Sequence, residues 1–190
     1  MTDNATLTGG CLCGAVRFEV TPPTKWCAHC HCSLCRRAHG AAFVTWFGVE
    51  RTDFELVAGA DDLSWYQSTP EARRGFCSKC GSTIFFESER WAGEVHIALA
   101  HMDGPIDRSP KAHVFYDTHV DWVELGDGLK RLGGTTGTEP LEPGCYASLA
   151  FEPPCLPDVH GIPSVVHERE ILSGISDADF AQSFQKGGRS

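Results

Sequence analysis

The 190-residue sequence predicts a mainly β protein carrying a Pro-rich C-terminal extension, on three observations. Short runs rich in β-branched and aromatic residues recur from Leu7 to Leu132, each closed by turn residues. Only Ser33–Ala38 in that stretch reads as a short helical turn. After Gly133-Gly134 the composition changes, residues 135–190 holding six of the eleven prolines.

The elements follow in order. Ala15–Val20 alternates, with Val16, Phe18 and Val20 on one face and Arg17 and Glu19 on the other, as a half-buried strand requires. Further strands are expected at Phe43–Val49, Phe54–Val57, Leu63–Tyr66, Thr83–Phe86, Val95–Ala100, Ala112–Tyr116 and Val120–Leu125. Turn signals separate them at Asp61-Asp62, Thr69-Pro70, Gly93, Gly104-Pro105 and Gly126–Gly128. Several antiparallel strands thus form one β domain over 1–134. Residues 135–190 read as an extension with one short helix, Ser176 to Gln185: Ser176 is its N-cap, Asp179 sits in a capping-box position and Gly187 stops it. This extension is expected to pack on the β domain or on a partner chain, as a homodimer contact.

Charge narrows the function. The net charge of −9 repels phosphate, so neither nucleic acid nor an anionic membrane is an expected partner. Apolar runs such as Phe43–Val49 and Ile97–Ala100 fall far short of the roughly 20 residues of a membrane helix. Met1–Gly10 has neither a basic start nor an apolar stretch, so no export signal is expected and a cytoplasmic location follows.

Ten cysteines in a reducing compartment need a task other than disulfides, and their spacing supplies one. Cys11 and Cys13 are two apart, as are Cys30 and Cys32, and in extended chain such residues point to the same side. Cys35 follows three residues later. Cys77-Ser78-Lys79-Cys80-Gly81 reads as a tight knuckle. Two thiolate pairs make a closed tetrahedral zinc site, whereas three thiolates leave a position open for a ligand. Spacing leaves open which pairs share an ion. It also leaves open whether Cys27, His29 or His31 closes the set of Cys30, Cys32 and Cys35. Cys145 and Cys155 read as buried small hydrophobes and His96 as structural or surface, with His101 and His113 undecided. Arg36-Arg37 and Arg73-Arg74 flank the two motifs and could clamp the carboxylates of an anionic ligand; otherwise they form a solvated face.

Three motifs, Gly10-Cys11-Leu12-Cys13-Gly14-Ala15-Val16, Cys30-His31-Cys32-Ser33-Leu34-Cys35-Arg36-Arg37 and Gly75-Phe76-Cys77-Ser78-Lys79-Cys80-Gly81-Ser82, resemble the glutathione-dependent formaldehyde-activating enzyme family, whose domain is shared with centromere protein V. The resemblance runs from about Leu7 to Gly134, and Asp121-Trp122 and Gly126-Asp127-Gly128-Leu129 also look typical of it. It implies a zinc-binding β-tent fold, similar to methionine sulfoxide reductase B and a Rab exchange factor. It implies two zinc ions per chain: a structural one on Cys11, Cys13, Cys77 and Cys80, and an exchangeable one on Cys30, Cys32 and Cys35. The implied activity is that of a carbon–sulfur lyase run in the synthetic direction, glutathione adding to formaldehyde. Cys27-Ala28-His29 and residues 135–190 depart from the family pattern.

The function expected is therefore a zinc-dependent carbon–sulfur lyase acting on the adduct of a small thiol, such as glutathione, with a small aldehyde. Cys30, Cys32 and Cys35 would hold the substrate sulfur. His31 or His101 would move the proton, and Arg36, Arg37, Arg73 and Arg74 would bind the anionic part. The rival is a non-enzymatic zinc-stabilised β module that binds a partner. Cys27 or a histidine closing the second site would favour that rival.

Overall fold

The computed structural model of the chain describes residues 6–141. The expected helix at Ser176–Gln185, and Cys145 and Cys155, lie outside the described residues. In chain order the elements are β1 (Leu7–Gly10), β2 (Arg17–Val20), β3 (Trp26–Cys30), α1 (Ser33–His39), β4 (Val44–Glu50), β5 (Phe54–Ala58), β6 (Leu63–Thr69), β7 (Ala72–Cys77), β8 (Thr83–Ser88), β9 (Glu94–Ala98), β10 (Ala112–Val114), β11 (Lys130–Gly133) and β12 (Glu139–Pro140). The fold is mainly β.

Two sheets result. A three-stranded sheet has the order β1-β2-β5, and a nine-stranded sheet runs β12-β11-β10-β3-β4-β9-β8-β7-β6. Pairing is antiparallel throughout except at β10, which lies parallel to both β3 and β11. A parallel pair needs a long crossover, and the whole stretch from α1 to β9 supplies it between β3 and β10.

The expected run Val120–Leu125 is not a strand. It begins in a turn at Asp121-Trp122, and Trp122 is 69% exposed. Its β-rich composition has no sheet to join, because β11 takes the place beside β10. Val95–Ala100 and Ala112–Tyr116 end early, their last residues turning into short 3-10 segments at Leu99–His101 and Tyr116–Thr118. The sheet continues beyond Gly134: β12 pairs with β11, and the Phe115 N–H donates to the Gly137 carbonyl at 3.0 Å.

Strand alternation divides the large sheet into two unlike faces. On one face Cys27, Phe47, Val49, Phe85, Val95 and Ile97 pack with Val16, Phe18 and Val20 of the smaller sheet. Phe18 meets Phe85 edge-on with centroids 5.1 Å apart. Burying each such ring contributes about 1.5–3 kcal/mol, so this layer holds the two sheets together. The opposite face carries Cys30, Cys35, Val44, Trp46 and Ala98, flanked by Trp26, Phe86 and Phe115. That second face forms a cleft rather than a closed core.

Candidate metal centres and the adjoining cleft

Cys11 follows β1 in a turn in which the Gly14 N–H donates to the Cys11 carbonyl at 3.0 Å, Gly14 taking φ +76°. The pair Cys11 and Cys13 therefore converges through a turn, not through the extended chain that the spacing suggested. The knuckle after β7 is built similarly. The Gly81 N–H donates to the Cys77 carbonyl at 2.8 Å with Gly81 at φ +75°, a conformation that favours glycine. A bond from the Leu12 N–H to the Ser82 hydroxyl, 3.1 Å, ties the two turns together.

All four sulfurs of Cys11, Cys13, Cys77 and Cys80 lie within 4.8 Å of one another. Cys11 and Cys13 are 3.5 Å apart and Cys13 and Cys77 3.8 Å. A tetrahedron of Zn–S bonds near 2.3 Å has edges of about 3.8 Å, so this set fits zinc. The crowded thiols also perturb one another's ionisation. Hydrogen bonds from the Ser82 side chain and backbone bring the Cys80 thiol down to about 5. Cys13 is pushed up to about 12 by Cys11 and Cys80, against a lowering hydrogen bond to the Ala15 backbone. This group joins the end of β1 in the small sheet to the β7–β8 turn of the large one.

The second group lies on the other face of the large sheet. Cys30 ends β3 and Cys32 caps α1, its sulfur accepting the Cys35 N–H at 3.2 Å. Cys35 returns on the first turn of that helix, 3.7 Å from Cys30, and all three sulfurs lie within 4.8 Å of one another. Among the described residues no fourth ligand joins this group. Cys27 packs in the core between the sheets, where burial pushes its thiol up to about 11. The His29 Nδ1 lies 2.9 Å from the Thr45 hydroxyl.

Hydrogen bonds from Cys30 and Cys32 hold the Cys35 thiol well below its usual value, and the Arg74 guanidinium adds to this. Both Arg74 Nη atoms lie 3.7 Å from the Cys35 sulfur, and Arg74 is only 5% exposed. The same guanidinium sits over the Phe86 ring at 5.0 Å. A buried cation against a thiolate cluster offsets part of the negative charge that three thiolates leave on a divalent ion.

A cleft of about 480 Å³ opens directly on Cys30, Cys32 and Cys35. One row of neighbours across five strands underlies it, Arg74 of β7, Phe86 of β8, His96 of β9, Gly48 of β4 and Trp26 of β3, all but Gly48 lining the cleft. Gly48 is required there, since a Cβ at that position would lie 2.3 Å from the Trp26 Nε1. The Trp26 indole instead lies across it, meeting the His96 ring edge-on at 4.6 Å and donating to the Glu94 carboxylate at 3.1 Å. Burial brings His96 down to about 4 although Glu94 opposes this, so the ring is neutral at pH 7.

The other sequence-predicted residues are not brought to this cleft. His31, between two cysteines in an alternating chain, points to the reverse face. Its Nε2 is 2.9 Å from the His113 Nδ1, and the His113 Nε2 is 2.9 Å from the Asp127 carboxylate. Arg36 bonds the carbonyls of His31 and Thr118, both at 3.0 Å. Arg37 is on the exposed side of α1. Arg73 lies on the face of β7 opposite to Arg74, bonded to Glu87 at 2.8 Å and stacked 4.2 Å over Trp65. His101 lies between the carbonyls of Thr83 and Gly10 at 2.9 and 3.2 Å. Only Arg74 of the four arginines lines the cleft. His96, expected to be structural or surface, lines the cleft instead, and Trp26, Phe86 and Trp91 were not singled out from sequence. The signal that could have found His96 is its phase on β9, opposite to the core residues Val95 and Ile97.

The chain is thus a β protein with two thiol clusters, each with its sulfurs close enough together to hold a metal ion, the three-membered one opening on a cleft. The model of the glutathione-dependent formaldehyde-activating enzyme family matches residues 6–118, and the chain belongs to that family. A Halomonas elongata protein whose name assigns it provisionally to the same activity is 34% identical over 126 residues, 63% of this chain and 80% of its own length. A Schizosaccharomyces pombe protein described as an uncharacterised lyase is 28% identical over 78 residues, 41% of this chain and 55% of its own. A crystal structure of a Rhodobacter sphaeroides protein is 30% identical and covers 53% of this chain and 92% of that one, with a TM-score of 0.45. Among the described residues no helix is long and apolar enough to cross a membrane.

Proposed function

We propose that this protein is a carbon–sulfur lyase-type enzyme that joins a small thiol to a small aldehyde and reverses the reaction. The single observation that carries the reading is the set of Cys30, Cys32 and Cys35, with no fourth ligand among the described residues, on the floor of a substrate-sized cleft. Membership of the glutathione-dependent family supports a thiol as the partner. Cys30, Cys32 and Cys35 would hold a zinc ion, which would supply a Lewis acid able to lower the pKa of a substrate thiol from about 8.5. Cys11, Cys13, Cys77 and Cys80 would hold a structural zinc that clamps the two sheets.

The bond changes are those of a hemithioacetal. The thiol gives up its proton, its sulfur pair attacks the carbonyl carbon, and the carbonyl π pair moves to oxygen, which takes a proton. No oxidant is needed. Arg74 offsets the thiolate charge and holds Cys35 in place. Among the described histidines only His96 lines the cleft; burial keeps its ring neutral at pH 7, so it offers the substrate a hydrogen bond rather than a base, and the thiol proton leaves to solvent. His31 acts from behind, its buried bond to His113 fixing the backbone between Cys30 and Cys32.

Cys32→Ser tests the reading. It is expected to lose one zinc per chain together with thiol binding and turnover, while the fold persists. Unchanged thiol binding and turnover in a folded Cys32→Ser protein would overturn it.

A further inference from the structure

We infer that the adduct handled at the three-cysteine site carries a flat aromatic group, which stacks on the cleft wall formed by Trp26, Phe86 and Trp91. This deepens the proposed function and rests on it. Two observations carry it independently of the thiol chemistry.

The first is what the wall is made of. The rings of Trp26, Trp46, Phe86, Trp91 and Phe115 all line the cleft beside the cysteines. Phe86, Trp91 and His96 are mutually in contact, with centroids 6.1 Å apart for Phe86 and Trp91 and 5.2 Å for Trp91 and His96. Trp26 closes the far side of His96. Rings placed like this present π faces and edges to whatever enters, and a second aromatic group satisfies both. A formaldehyde adduct of a small aliphatic thiol leaves that surface facing water.

The second observation is where the cations go. A ligand with several carboxylates needs forked donors, and the arginines nearest in sequence are committed elsewhere. Arg36 is spent on two backbone carbonyls, Arg73 on Glu87, and Arg74 on the Cys35 sulfur. Arg90 also lines the cleft, lying 5.0 Å over the Trp91 ring, but Glu71 lines it too with the opposite sign. Apolar stacking rather than charge is therefore what the cleft offers a ligand beyond its sulfur.

The aromatic group could sit on the thiol or on the aldehyde carbon, and two matched pairs of probes separate these sources. Benzyl mercaptan against 2-mercaptoethanol tests the thiol side; S-benzylglutathione against S-methylglutathione, stable mimics of an adduct, tests the aldehyde side. Affinities are measured by calorimetry on the metal-loaded full chain. The benzyl member of at least one pair is expected to bind about tenfold more tightly or better, about 1.4 kcal/mol. The ratio is expected to fall toward one in Trp91→Ala and in Phe86→Ala. Equal affinities within both pairs would overturn the inference, as would a preference that survives both variants. Cobalt-loaded protein separates this from failure of the thiol reading. A sulfur-to-cobalt absorption band of equal strength with either thiol, at equal affinities, keeps the thiol site and discards the aromatic preference. A benzyl preference lost in Trp91→Ala, with no such band, keeps the stacking wall and discards the thiol site.

Discussion

Gly48→Ala tests the cleft geometry at its tightest point. The added methyl would lie 2.3 Å from the Trp26 Nε1, 2.6 Å from Cε2 and 3.0 Å from Cζ2, all inside van der Waals contact. β4 is held on both sides, by β3 and β9, so the strand cannot retreat. The indole must rotate instead. That breaks its 3.1 Å bond to Glu94 and its edge contact with His96. Overpacking of this kind costs about 1–3 kcal/mol and the lost hydrogen bond about 1 kcal/mol. A loss of about 2–4 kcal/mol is expected, read by urea unfolding followed by circular dichroism, with a fall in Tm of roughly 5–15 °C. Trp26→Ala removes the atoms that the methyl strikes. In that background Gly48→Ala should therefore cost at least about 1 kcal/mol less. If the two substitutions add to within about 0.5 kcal/mol, the indole does not depend on the missing side chain and the described cleft floor is wrong.

Other outcomes follow from the same geometry. Burial holds His96 at about 4 and His39 also at about 4, so between pH 6.5 and 4 the folded chain binds fewer protons than the unfolded one. Stability should then fall as pH falls through that window, and His96→Gln should flatten the slope; an unchanged slope would contradict the burial argument. Arg74→Met leaves the Cys35 sulfur without its cation and should raise the pH at which the three-cysteine site releases metal, measured by chelator competition, whereas Arg73→Met on the reverse face should not. Cys77→Ser opens the joint between the two sheets and should lower Tm far more than Cys32→Ser, since Cys77 is fully buried in the layer between them. If residues 135–190 form a dimer contact, the full chain should sediment as a dimer and a chain ending at Leu141 as a monomer.

Much of the fold was legible because one face of each main strand is apolar. Val16, Phe18 and Val20 alternate cleanly, and all three are fully buried. The strands that hid are those whose outward face carries chemistry. In β3, Trp26-Cys27-Ala28-His29-Cys30, cysteines and histidines replace the usual β-branched residues, and in β7 Arg73-Arg74 masks the period of two. Alternation is used there only to pair Cys30 with Cys32, not to assign faces along β3 and β7. That alternation is what sends Arg74 to the cysteines and Arg73 to Glu87, and what turns His31 away from its neighbours. The two cysteine groups could be listed from spacing because metal ligands recur at short intervals. The aromatic cleft could not, because the row beneath it spans five strands, and such a row exists only once the register is set.

The most direct test of the open thiol-binding site is to measure zinc per chain by elemental analysis and sulfur coordination by X-ray absorption, with and without added thiol. Two zincs are expected per chain, one with four sulfurs and one with three. Saturating thiol should raise the mean coordination from about 3.5 to about 4 sulfurs per zinc. One zinc per chain, or two with four sulfurs each before any thiol is added, would mean that Cys30, Cys32 and Cys35 hold no exchangeable position.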